Sequence, residues 1–427
     1  MYLDCSVVSR STSRRMLATG CALFALSAGG LIAVDAVVGG GLWSMLDLQI
    51  YAWGGELARH SGDVYGVTYQ HDGLYFTYPP VAAAVFAVAS YLPLAVLKWA
   101  ASIASVAALT AVSWLAWGLL GYPRSRWRLG GALAIAAVAI WSEPVQETLA
   151  FGQVNILLML IIMADLAQPD RAWWKGAGIG LAAGFKLTPL IFIPFLVLTG
   201  RLRGAGVALA AFLVTIAGPA LWRPSLTDRY WAGRLFLNSG RLGNDAYVGN
   251  QSLRGMLLRL AGDTASARLA WAAAVVVVGV GGLLLAAAAS RRGQELAGVL
   301  ICALTGLLVS PVSWSHHWVW IAPALVLAVH AVLRARASPG SRWRPRAAWA
   351  GLAALVVVFF SRVIWATPAA AVQGQGLHGP WLVLSNLYPL AGLAALALAG
   401  VLMARSPRES SESPAPHRPG LSVTMGP

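Results

Sequence analysis

Residues 176–200 read GAGIGLAAGFKLTPLIFIPFLVLTG, an apolar run with Arg171 and Lys175 before it, Arg201 and Arg203 after it, and a lysine near its middle. Basic residues that flank apolar membrane segments stay on the cytoplasmic side. With basic flanks at both ends, the run must enter and leave from one side, as a hairpin of two short helices or a re-entrant turn. Lys186-Leu187-Thr188-Pro189 is where it bends, because Pro189 removes a backbone donor and interrupts the helix. An ammonium inside such a run is costly unless it faces a cavity or an anionic partner.

The rest of the chain has the same character. It is 58% hydrophobic and 11% charged over 427 residues, with mean hydropathy +0.68. Apolar runs of about 20 residues, enough to cross a hydrocarbon core of about 30 Å, follow one another. The first, 16–38, lacks a cleavage site followed by a polar mature domain and reads as a retained helix rather than a signal peptide. Cys5, Cys21 and Cys302 show neither metal-ligand spacing nor an obvious disulfide pair. The formal charge of +15 sits in short loops between apolar runs, which is the positive-inside pattern and excludes a nucleic-acid reading.

Placing every basic cluster in the cytoplasm threads the chain. Runs 16–38 and 99–120 form the first pair, with 39–98 as a first outer loop whose apolar piece 79–97 is re-entrant or interfacial. Runs 130–147 and 154–168, then 204–222 and 265–289, then 296–312 and 317–334, then 347–366 and 383–404 follow as outward and returning pairs. The expectation is an all-α polytopic membrane domain over 1–404 with roughly 10–12 transmembrane helices. Residues 405–427, rich in Ser, Pro and Glu, read as a disordered cytoplasmic tail.

Under this threading the polar words fall on the outer face. Asp47, in Leu46-Asp47-Leu48-Gln49-Ile50-Tyr51, is either a helix-start acid that complements the dipole or a general base that takes a hydroxyl proton. Glu56, Asp63, Asp72, Asp228 and Asp245 lie in ordinary polar loops and are weaker candidates. Glu143 and Glu147 share a helix face and suit a sugar or a metal. Tyr78 belongs to Phe76-Thr77-Tyr78-Pro79-Pro80, a rigid helix start. Gln153 and Asn155 offer neutral donors and acceptors for hydroxyls, or simply make a turn. Lys186 requires an anion, either a carboxylate or a lipid phosphate. Arg241 and Arg254 flank Asn244, Asn250 and Gln251, a set suited to a phosphate and hydroxyls. His316 and His317 stand among interfacial tryptophans and, one helical step apart, cannot serve one site equally. No HExxH, GxSxG, Walker or Rossmann spacing occurs.

In order, LDLQIY, FTYPP, EPVQETLAFGQVNILLML, GFKLTP, SGRLGNDAYVGNQSLRG and LLVSPVSWSHHWVW span residues 46–320. Together they resemble the polyprenol-phosphate-mannose-dependent α-(1→2) mannosyltransferases of actinobacteria, glycosyltransferase family 87, of the GT-C type. The resemblance implies a polyprenyl-phosphate-mannose donor used on the outer face of the plasma membrane. It implies a mannosylated glycolipid acceptor of the phosphatidylinositol mannoside, lipomannan or lipoarabinomannan kind, and an inverting single displacement. Carried onto these residues, it makes Asp47 the catalytic base. It gives Lys186, Arg254, His316 and His317 to the donor phosphate, and Tyr78, Gln153, Asn155, Arg241, Asn250 and Gln251 to sugar or acceptor. No DxD-like pair appears, so no metal ligand is assigned and a metal-independent site is expected. The rival reading is a lipid or sugar transporter or flippase, which calls for repeated halves and polar groups spread through membrane depth. No repeat is evident here.

Overall fold

The computed structural model describes residues 10–37, 44–69, 73–337 and 343–405; Asp72 and the tail from 406 lie outside them. The chain opens with α1 (Arg10–Val37) and α2 (Leu46–Arg59), then two antiparallel two-residue strands, β1 (Thr68–Tyr69) and β2 (Leu74–Tyr75), with Thr68 opposite Tyr75. Next come α3 (Pro80–Ala89), α4 (Leu94–Leu119), α5 (Arg126–Ala139), α6 (Glu143–Phe151) and α7 (Asn155–Leu166). The central part holds α8 (Ala177–Phe185), α9 (Phe192–Leu198), α10 (Leu202–Trp222), α11 (Pro224–Trp231) and α12 (Leu253–Ala261). The chain ends with α13 (Ala265–Arg291), α14 (Glu295–Val309), α15 (Ile321–Ala337), α16 (Trp343–Phe360), α17 (Pro380–Leu384) and α18 (Leu387–Arg405).

Among the described residues six helices are long and apolar enough to cross a membrane: α1, α4, α10, α13, α15 with the turn before it, and α18. α5 and α6, bent by 78°, make a seventh if taken as one span. The larger number expected from the sequence counted α7, α14, the two arms of the 176–200 run and run 347–366 (α16) as well. α7, α14 and the second arm, 188–198, are shorter apolar helices; α7, at 12 residues, reaches only about 18 Å at 1.5 Å per residue. α3, with 10 residues, is shorter still and lies at the side of the bundle, against α2, α8, α10 and α11.

The 176–200 run breaks at Lys186, whose extended backbone (φ −149°, ψ 129°) ends α8, and a 3-10 turn at Thr188–Ile191 leads into α9. α8 runs parallel to α10, Gly176 against Gly204, Gly180 against Ala208 and Gly184 against Thr215. Gly176 adopts φ +103°, a conformation that only glycine takes easily. The arms of the hairpin start and finish together, since Lys175 and Arg201 both bind Asp170, at 2.8 and 3.2 Å. Arg201 also grips Glu295 at 2.7 and 2.8 Å, a bidentate pair that brings in the start of α14. Arg291 donates to the Leu198 carbonyl, and Arg292 to that of Met403 at 2.7 Å, so the ends of α9, α13 and α18 join the same cluster. Lys175, Arg201, Arg291 and Arg292 thus share one end of the bundle. The polar words collect at the other, where Asn250 bridges to Trp314 and Gln251 donates to the Ser385 carbonyl at 2.8 Å.

Two apolar cores result. The larger runs through α4, α5, α7, α9, α14, α15 and α18; the smaller joins α2, the strands, α3 and α11 through Tyr51, Val64, Phe76, Phe86 and Tyr230. A Cβ on Gly180 would sit 2.2 Å from the Ala208 carbonyl oxygen, whereas one on Gly206 meets nothing within 4 Å. Gly180→Val should therefore cost about 1–3 kcal/mol by overpacking α8 on α10, and Gly206→Val should not. Thermal unfolding of the purified variants checks this, and equal midpoints would contradict the close packing.

Candidate active site

The smaller core is tied to the larger through the start of α2. Met45 takes a left-handed conformation (φ 50°), and its N–H donates to the Ala150 carbonyl at 2.8 Å. Gly152 closes α6 at φ +67°, and a Cβ there would lie 2.7 Å from the Leu48 side chain. The missing side chain is what lets α2 approach. Asp47 then falls in the first turn of α2, at the positive end of the helix dipole. It is not a capping residue, because the N-cap position belongs to Met45 and carries no side-chain cap.

The Asp47 carboxylate accepts a hydrogen bond from the Gln153 amide through Oδ2. Gln153 Oε1 accepts from the Tyr78 hydroxyl at 2.9 Å, which in turn accepts from Tyr51 at 2.9 Å. All three donors point the same way, which fixes the Gln153 amide with its N–H toward Asp47. Burial pushes the Asp47 carboxyl from 3.8 up to about 6, with the Gln153 bond and the Lys186 charge pulling it back. Such a group is ionised at neutral pH yet basic enough to take a proton.

Across the cavity Lys186 emerges at the break between α8 and α9. Its Nζ donates to Asn155 Oδ1 at 2.8 Å, lies 3.0 Å from His317 Nε2, and stands 5.4 Å over the Tyr78 ring. Among the described residues its ammonium makes no ion pair with a carboxylate. With the lysine as donor, His317 is neutral with its proton on Nδ1, an atom that is buried and has no hydrogen-bond partner among the described residues. The histidine turn is held from behind, since the His316 carbonyl accepts from Thr148 at 2.9 Å and from Asn155 at 3.0 Å. Asn155 thereby fixes the turn with its N–H and the lysine with its oxygen.

These groups face one cavity of about 470 Å³ at the seam of the two cores. Of the residues assigned from sequence, it brings together Asp47, Tyr78, Gln153, Lys186, Arg241 and His317. Among the described residues Asp47 is its one carboxylate, and Lys186 and Arg241 are its lysine and arginine. Asn155 lies one step behind, on a narrow apolar crevice that continues past Lys186 and His317.

Four of the assigned residues are elsewhere. Arg254 pairs with Asp245 at 2.8 Å and stacks 5.2 Å over Trp271, outside the cavity lining. Asn250 and Gln251 are fully buried and hold the Pro311, Val248 and Ser385 carbonyls, a structural use. His316 sits behind His317, its ring 4.8 Å away and nearly perpendicular, with Nε2 buried and unpartnered. The Glu143/Glu147 pair, outside the cavity lining, is engaged by protein groups. Glu143 accepts from Trp365 and Tyr388, both at 2.7 Å, and Glu147 pairs with Arg362. Among the described residues no group of three His, Cys, Asp or Glu is arranged to hold a metal ion.

The cavity also has an aromatic lining that the sequence reading passed over: Tyr51, Tyr65, Tyr75 and Tyr230. Their signal is weak, because tyrosines near a membrane surface are common. Arg241 sits among them, its guanidinium 4.0 Å over the Tyr75 ring and bonded to the Tyr65 carbonyl at 2.6 Å.

Fold and site together define a helical, multi-pass membrane protein whose polar cavity sets Asp47 against a lysine–histidine pair. Comparison with known proteins gives the family. The glycosyltransferase family 87 profile matches residues 76–311. The chain is 33% identical over 378 residues, 88% of it and 85% of the relative, to a polyprenol-phosphate-mannose-dependent alpha-(1-2)-phosphatidylinositol pentamannoside mannosyltransferase of Mycobacterium tuberculosis (strain CDC 1551 / Oshkosh). It is 35% identical over 305 residues, 66% of it and 69% of the relative, to the corresponding phosphatidylinositol mannoside mannosyltransferase of M. tuberculosis (strain ATCC 25618 / H37Rv). A pentamannoside mannosyltransferase of Mycolicibacterium smegmatis is 33% identical over 303 residues, 68% of this chain and 71% of that one. No solved structure matches. The chain belongs to glycosyltransferase family 87.

With a folded-state value of about 6 against 3.8 unfolded, Asp47 binds its proton more tightly in the native state. Stability from this group is present below 3.8 and lost as pH rises through about 6, so the ionised form is obtained at the expense of stability. With Asp47 as the base of a transfer, the rate would run the opposite way. kcat/KM should fall about tenfold per pH unit below about 6, and in Asp47→Asn that limb should vanish from whatever activity is left. A parent profile flat down to pH 4.5 would show that another group titrates, or that none does.

Proposed function

We propose that this protein transfers mannose from polyprenyl-phosphate-mannose to a lipid-linked mannan acceptor, forming an α-1,2 linkage on the outer face of the plasma membrane. The observation that carries the reading is the pairing, in one cavity, of Asp47 with a lysine that no carboxylate among the described residues neutralises. The names of the relatives supply the donor and the linkage. Lys175, Arg201 and Arg292 at the far end of the bundle support an outer-face site through the positive-inside rule, since Arg229, Arg254 and Arg362 at the site end are each paired with an acid.

In the proposed step the acceptor hydroxyl attacks the anomeric carbon of the donor mannose. Asp47 takes the hydroxyl proton as the new C–O bond forms. The bond from the anomeric carbon to the phosphate oxygen breaks, and its electron pair leaves with polyprenyl phosphate. Lys186 faces the charge that builds on the leaving oxygen, and His317 holds the lysine in place from the same side through Nε2. A β-linked donor gives an α product because attack comes from the face opposite the leaving group. No covalent enzyme intermediate is needed, so one carboxylate suffices. Tyr78 and Gln153 hold the base, and Asn155 holds the lysine and the histidine turn. Placing reacting groups on rigid elements this way is worth several decades of rate when the geometry is kept.

Lys186→Met keeps the apolar stem and removes the charge. Losing a hydrogen bond to a charged group costs about 1.5–3 kcal/mol, so the apparent KM for a polyprenyl-phosphate-mannose donor should rise about 10–100-fold. The measurement is transfer of radiolabelled mannose by purified, monodisperse protein. Unchanged donor dependence would remove Lys186 from the phosphate site.

A further inference from the structure

Trp314 lines the mouth of the cavity beside Asn238 and Arg241. From there an aromatic surface continues away from the reacting groups. The Tyr247 ring lies 6.1 Å from that of Trp314 and 6.0 Å from that of Trp365, and all three side chains are half-buried. Gly249 makes the approach possible, because a Cβ there would stand 2.6 Å from the Tyr247 ring and 3.1 Å from that of Trp365. The segment is pinned by the Val248 N–H, which donates to the Val372 carbonyl at 3.0 Å.

A belt of tryptophan and tyrosine that merely anchors a protein in lipid turns its apolar faces outward to acyl chains. This group is walled by polar and charged side chains instead. Arg362 bonds Gln146 at 2.6 Å and pairs with Glu147, and Asn244 donates to the Gln373 carbonyl at 2.9 Å. The Tyr247 hydroxyl makes no hydrogen bond among the described residues. Ring faces alternating with amide, carboxylate and guanidinium groups match a ligand that has an apolar face and a rim of hydroxyls. A pyranose has that shape. The strip is continuous with the cavity through Trp314, so its occupant is the part of the acceptor that trails the reacting sugar.

We propose that Trp314, Tyr247 and Trp365 form an acceptor-glycan subsite that holds the α-linked mannose units preceding the one that reacts. The proposal rests on the mannosyl-transfer reading and adds a length preference to it. The enzyme reads a run of sugars as well as the terminal one. This surface joins the α6–α7 region to the chain after α16, which gives the last part of the protein a role in choosing the acceptor.

The test uses the full chain in detergent, polyprenyl-phosphate-mannose as donor, and two acceptors: octyl α-mannoside and an octyl-linked linear α-mannotetraoside. The readout is the ratio of kcat/KM for the long acceptor to that for the short one. The parent should favour the long acceptor, and Tyr247→Ala should lower the ratio about tenfold, equivalent to ~1.4 kcal/mol. Tyr247→Leu, which keeps bulk but offers no ring face, should do the same, while Tyr247→Phe should keep most of the preference. A ratio that Tyr247→Ala leaves unchanged overturns the subsite. Calorimetric titration of the tetraoside into Asp47→Asn, with and without Tyr247→Ala, reads binding without turnover. Tetraoside binding that weakens in the double variant, with no mannose transferred by the parent, would support the subsite and sink the reaction reading. Transfer that persists with tetraoside binding indifferent to Tyr247 would sink the subsite alone.

Discussion

A lysine ammonium held in an apolar hairpin is the constraint around which this protein is arranged. Lys186 cannot be left without partners at that depth, and the chain answers with neutral groups, the Asn155 oxygen and the His317 ring nitrogen. Neutral partners satisfy hydrogen bonds but leave the charge uncompensated. A carboxylate placed directly on it would have made a buried ion pair and closed the site to an anion. Asp47 is kept across the cavity instead, held by Gln153, near enough to be felt by the lysine and free to accept a proton.

That spacing is produced by backbone features some way from the chemistry. Gly152 and Met45 both adopt left-handed conformations and bring the start of α2 against the end of α6. The extended residue at the α8–α9 break aims Lys186 into the bundle, while Asp170, Lys175, Arg201 and Glu295 lock the base of the hairpin at the other end. Thr148 and Asn155 grip the His316 carbonyl, so that of the two adjacent histidines only His317 reaches the cavity. The reactive groups come from four separate stretches of chain and meet where the two apolar cores join.

Much of this was legible from the sequence where a polar group is expensive in its local setting. Lys186 and the Pro189 bend stand out in an apolar run, and Asp47, Gln153 and His317 stand out at the ends of apolar segments. Residues whose role depends on tertiary pairing were not legible. Arg254 looked like a phosphate ligand, but Asp245, nine positions earlier in the chain, neutralises it. Asn250 and Gln251 looked like hydroxyl ligands, yet a polar loop packed at the end of a bundle must also satisfy its own carbonyls, and they are spent on that. Hydropathy registers short apolar helices such as α7 and α14 as strongly as long ones, so helix length was not legible in it. The tyrosine lining was missed because its composition matches an ordinary interfacial belt.

The central claim is that Asp47 acts as the base in a transfer whose leaving phosphate meets Lys186. Asp47→Asn keeps the size of the side chain and its bond to Gln153 but cannot hold the proton. General-base contributions of about 10²–10⁴-fold in rate put the expected loss far outside the few-fold change a packing defect would cause. The measurement is initial-rate mannose transfer from polyprenyl-phosphate-mannose per mole of folded protein, parent against Asp47→Asn, at pH 7.5. The account predicts a loss of at least about a hundredfold with the thermal midpoint no lower than the parent's, since the variant no longer buries a carboxylate. Transfer within a few-fold of the parent would contradict it.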